Sequence, residues 1–80
     1  MRILKEDIIV IKSGIPYLKR IKKDGVPTEY KLVRAYLPSE VRRGEHMEND
    51  HLFSDDHQLI TTQLASQPFP RGGLQIWKKV

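Results

Sequence analysis

Lys23-Asp24-Gly25 reads as the tip of a β-hairpin, because Asp-Gly supplies the positive backbone φ that tight turns demand and β-favouring arms flank it. On the leading arm, Ile15, Tyr17 and Ile21 share one parity with Lys19 among them, while Arg20 and Lys22 take the other; period two fits better than a helical repeat. The returning arm, Thr28 to Leu37, has Tyr30, Leu32 and Tyr36 on one side and Val33, Ala35 and Leu37 on the other. Pro27 lacks a donor and makes the tip irregular, so a two-residue turn and a three-residue bulged loop both remain open. The three-residue version sets Lys19 opposite Glu29 as a cross-strand charge pair. Pro38 ends the arm.

A further strand precedes the hairpin. Ile8-Ile9-Val10-Ile11 is a run of four β-branched residues, the pattern of a strand buried on both faces, and Ser13-Gly14 after it is a turn signal. Beyond the hairpin, Pro38 to Arg43 suits one short helical turn capped by Ser39, with Gly44 as its stop, and 44–50 reads as a mobile polar loop. Ser54-Asp55-Asp56 offers a capping hydroxyl and two carboxylates for the positive end of a helix dipole. Phe53, His57, Ile60 and Leu64 then recur at helical spacing up to Gln67-Pro68, so a helix is expected over 55–66, against a competing strand reading at Ile60-Thr61-Thr62. Pro68 to Gly73 reads as a loop and Leu74 to Val80 as a last strand.

The expected architecture is α+β: a small β-rich antiparallel sheet or partly open barrel carrying one helix at about 55–66. Eighty residues with no repeat form a single domain, 1–80, whose apolar residues are all needed in one core. If that core is too small, self-association is the cheapest remedy, and a homodimer is one expectation. With no cysteine, neither disulfides nor thiolate metal ligands can staple the chain, which points to the cytoplasm, or a host-cell interior if a virus encodes it. The longest apolar run, Ile8 to Ile11, is far short of the ~20 residues of a membrane span, and Met1 to Asp7 lacks the apolar stretch of a signal peptide. No membrane partner is expected.

Charge is unevenly distributed. Residues 1–43 hold eleven Lys/Arg against five Asp/Glu; residues 44–57 hold five acids and no Lys or Arg; residues 58–80 add three cations and no acid. The basic half suggests a nucleic-acid-binding module, for DNA or RNA. Lys19, Arg20, Lys22, Lys23, Lys31 and Arg34 on the hairpin would neutralise phosphates, and Tyr17 and Tyr30, with Tyr36, would offer rings on which bases stack. The competing account makes the lysines a solvated outer face and the tyrosines core. Which way the tyrosines face decides between them.

An alternative is a small protein-binding module or inhibitor of the kind mobile elements encode. It would act through the acidic stretch 45–56, with Glu45, Glu48 and Asp50, or through anchors at Phe69 and Trp77. His46, His51 and His57 lie among carboxylates, but the spacing matches neither a zinc-protease pair, a finger nor an EF-hand, so no metal or cofactor is expected. There is no Gly-x-Ser-x-Gly elbow and no catalytic Cys, and Arg71-Gly72-Gly73 lacks phosphate-loop spacing, so an enzyme is not expected.

Overall fold

A computed structural model describes residues 3–4, 6–21, 25–53, 57–62 and 68–80. In chain order these form strands β1 (Ile8–Lys12), β2 (Ile15–Ile21) and β3 (Pro27–Tyr36), helices α1 (Pro38–Arg42) and α2 (Glu45–Glu48), a 3-10 turn (Asp50–Phe53), and strands β4 (Gln58–Thr62) and β5 (Leu74–Lys79). The five strands make one antiparallel sheet in the order β1-β2-β3-β5-β4. No helix among the described residues is long and apolar enough to cross a membrane.

The N-terminal meander follows the local chemistry. Ser13 and Gly14 both adopt positive φ, 52° and 78°, the two-residue turn whose twist matches a hairpin, so Lys12 faces Ile15 across it. Lys19 stands opposite Glu29 between β2 and β3, the register the three-residue tip reading expects; the tip itself, 22–24, lies outside the described residues.

Three expectations are corrected. The span 55–66 does not form a helix where it is described: Gln58–Thr62 is strand β4, paired along its length with β5. Leu59 and Thr61 are buried on one side, and the β-branched Ile60, Thr61 and Thr62 fit a pleated surface better than a helix. The helical content lies earlier: α1 occupies the short helical turn expected after Pro38, and α2 forms within the segment read as a mobile loop. In α1 Pro38 is the first residue, so Ser39 falls inside the turn rather than capping it, and Glu40 accepts the Leu37 N–H at 2.9 Å instead. Finally, β1 is a sheet edge, exposed at Ile8, Val10 and Ile11, and not a strand buried on both faces.

One face of the sheet carries the main core of Ile3, Leu18, Tyr30, Leu59 and Trp77, with Ile9, Leu32 and Phe69 packed against it. Ile3, five residues before β1, donates its N–H to the Thr62 carbonyl of β4 at 3.0 Å, so the N-terminal segment ties the β1 edge to the β4 edge across this face. The core includes a buried polar chain: Trp77 Nε1–H donates to Thr61 Oγ1 at 2.8 Å, and that hydroxyl donates to Gln75 Oε1 at 3.0 Å.

An irregularity at Val33 shifts the register between β3 and β5. Tyr36 therefore falls on the opposite face from Tyr30 and Leu32, correcting the reading that grouped them. It is buried there, meeting the His46 ring edge-on at 6.3 Å. The entry to β5 is tight. A Cβ at Gly73 would lie 2.7 Å from the Tyr36 carbonyl oxygen and 3.2 Å from that of Pro70. Gly73→Ala is expected to lower stability by about 1–3 kcal/mol, because both obstacles are backbone; a thermal melt matching the wild type would contradict this.

Candidate nucleic-acid interface

The outer face of the meander is defined by a single cross-strand row. Val10 on β1 faces Tyr17 on β2, Tyr17 faces Lys31 on β3, Lys31 faces Lys78 on β5, and Lys78 faces Gln58 on β4. Directly opposed residues project to the same side of a sheet, so one aromatic ring and two ammonium stems rise together. The neighbouring row adds Ile8, Lys19 and Glu29 on that face.

Tyr17 is half-buried and belongs to two adjoining hollows. The larger, about 620 Å³, is an open groove lined chiefly by Tyr17, Lys31, Val33, Lys78, Lys79 and Val80. The smaller, about 140 Å³, lies between Ile8, Val10, Lys12, Tyr17, Lys19 and Glu29. Lys12 Nζ stands 5.0 Å from the Tyr17 ring centroid and 3.1 Å from Glu29 Oε1. Five lysines and one glutamate thus line the two hollows to which Tyr17 belongs.

Of the residues the sequence nominates, the structure brings Tyr17, Lys19 and Lys31 together and puts others elsewhere. Lys22 and Lys23 lie outside the described residues. Tyr30 is 9% exposed in the core, so its ring is packing surface and not a stacking platform. Arg20 points to the core side. Its Nε and Nη2 donate to Asp7 Oδ1 and Oδ2 at 2.9 and 2.7 Å, a fork that holds the guanidinium pKa above its ordinary value. Arg34 stays on the outer side but farther along β3. It donates to Glu40 at 3.0 Å and to the Ala35 carbonyl at 2.8 Å, and lies 4.5 Å from the Tyr36 ring centroid. The Leu37 N–H, and then Arg34, keep the Glu40 carboxyl below its usual pKa, so the pair stays charged further into acid than an ordinary glutamate would. Lys12, Lys78 and Lys79 join the site without having been singled out; Lys78 shares a parity with Ile76, but its place opposite Lys31 becomes visible only once β5 is known to pair with β3.

The alternative, protein-binding residues fall into two groups, Phe69 with Trp77 and the acidic residues on and after α2. Trp77 has no exposed surface and so cannot anchor a partner, while Phe69 is half-buried and meets the Trp77 ring edge-on at 5.8 Å. Both serve the core because the sheet needs its largest side chains inside. Glu45 is taken by Arg43 at 2.6 Å, and Glu48 and Asp50 lie on α2 and the 3-10 turn after it. Among the described residues no three His, Asp or Glu side chains gather as a metal site. Comparison with protein-family models, curated proteins and solved structures finds no match to this chain.

Proposed function

We propose that the protein binds single-stranded nucleic acid across the outer face of β1, β2, β3 and β5. The row Val10–Tyr17–Lys31–Lys78 carries this reading, because it combines a ring on which a base can stack with ammonium groups spaced to follow a phosphate backbone. Lysines are point charges on flexible stems, which suits contact with phosphates and carries little sequence information. The expected specificity is accordingly low. Only one tyrosine ring, that of the half-buried Tyr17, is offered, so affinity is to come mainly from counterion release and to be strongly salt-dependent.

The test is a fluorescence-anisotropy titration against labelled oligo-dT, oligo-rU and a duplex at two salt concentrations. If about four lysines each engage a phosphate on a single strand, log K falls against log salt with a slope of roughly −3, so affinity drops about 50-fold between about 50 and 200 mM. Single strands are expected to bind more tightly than the duplex, whose bases are already stacked. No binding to any of the three at low salt overturns the proposal.

A further inference from the structure

The geometry of β1 assigns it a second role: we infer that the protein forms a symmetric dimer in which β1 pairs antiparallel with β1 of a second copy. The two-residue turn at Ser13-Gly14 makes Lys12 and Ile15 the closing hydrogen-bonded pair, and such pairs alternate along an antiparallel ladder. Val10 with Tyr17 and Ile8 with Lys19 therefore exchange bonds inside the hairpin. Ile9 and Ile11 turn their N–H and C=O groups outward, and the pair Ile11–Pro16 agrees, since a proline has no N–H to exchange. Among the described residues nothing accepts from or donates to that outer row. A row of open backbone donors and acceptors at strand spacing is satisfied by another strand.

Side chains at the edge match a copy of themselves. Ile8 is 52% exposed, Val10 45% and Ile11 65%, so the strand is apolar on both of its sides. Edges that must stay solitary are usually guarded by charge, proline or a bulge, and this one carries only Lys12 at its end, already neutralised by Glu29. A two-fold axis at Val10 pairs Ile9 with Ile11 of the second copy and Ile11 with its Ile9, closing four backbone hydrogen bonds. Val10 then meets its own copy, and each Lys12 faces an Ile8. The two lysines end at opposite ends of the seam, whereas parallel pairing would set them side by side. Such an isologous contact closes on itself and does not propagate into a filament.

Five residues of strand bury well under the ~1,600 Å² of a standard interface, so the dimer is weak, with a dissociation constant of roughly 10–100 μM. Pairing would also join two outer faces into one, running from Lys78 and Lys31 through Tyr17 and Val10 into the same row reversed. The inference does not depend on nucleic-acid binding. Its salt dependence has the opposite sign, because two copies of net charge +4 repel and salt screens that repulsion.

Sedimentation equilibrium on the nucleic-acid-free protein up to about 0.5 mM tests it. The wild type is expected to dimerise, more tightly as salt rises. Val10→Lys and Val10→Glu each place like charges face to face at the axis and are expected to be monomeric. An equimolar mixture of the two is expected to restore a heterodimer. Val10 is exposed, so both variants should keep the wild-type circular dichroism and Trp77 fluorescence. A monomeric wild type at the highest concentration overturns the inference and leaves the edge to a strand from another protein. Unchanged association in Val10→Lys, or a mixture that fails to pair, overturns it equally.

Discussion

Replacing Arg20 with alanine is expected to cost about 3–5 kcal/mol, enough to leave a domain of this size partly unfolded at room temperature. Asp7 is almost wholly enclosed, with 1% of its side chain exposed, and Arg20 supplies two charge-assisted bonds to it. Without the guanidinium, the carboxylate retains the Leu4 N–H at 2.7 Å but loses its counter-charge in a place water hardly reaches. The loss also loosens the N-terminal segment, which the Asp7 side chain and the Ile3–Thr62 bond dock onto the sheet, with Ile3 in the core. Arg20→Lys should recover part of the stability, since it restores charge but not the fork. Urea unfolding followed by Trp77 fluorescence measures both. An Arg20→Ala protein within about 1 kcal/mol of the wild type would show that the pair is no more than a surface bridge.

The second large effect belongs to the outer face. On a polyelectrolyte account each phosphate neutralised contributes about 0.7 log units at 0.1 M salt, so Lys31→Glu, which removes one attraction and adds one repulsion, should weaken single-strand binding roughly 25-fold. Tyr17→Ala should weaken it by a further 1–3 kcal/mol if a base stacks there, with little change in the salt slope. The two variants thus separate charge from stacking. Tyr30→Phe is the control, because it leaves the outer face as it was. Equal affinities for the wild type and Lys31→Glu would remove the interface from this side of the sheet, wherever else the protein proved to bind.

The hairpin, the strand before it and the strand that ends the chain were legible because their signals are local: Ser13-Gly14, Asp24-Gly25 and alternating β-favouring residues. Strand β4 was misread because Phe53, His57 and Ile60 also satisfy a helical period, and over a few residues the two templates overlap until a pairing partner decides. The apolar parity of β2 proved to be its outer one. Ile15, Tyr17 and Ile21 lie on the side of Lys19, and Leu18 alone enters the main core from that strand, which no count of apolar residues would suggest. For the site, the hairpin's basic character was visible, but which cations stand together was not. Arg20 and Lys19 are adjacent in sequence and diverge in space because neighbouring residues on a strand point to opposite sides.

Val33 marks the place where β3 changes allegiance. Before it, the strand gives its large side chains to the main core; after it, the same alternation delivers Tyr36 to the opposite face, against His46 of α2. What matters at this point is the count of residues and not their chemistry. Nearly any side chain can occupy a half-exposed position, but removing one residue would turn the second half of the strand inside out. Variation among descendants of this chain should therefore change the letter at 33 while holding the number of letters constant.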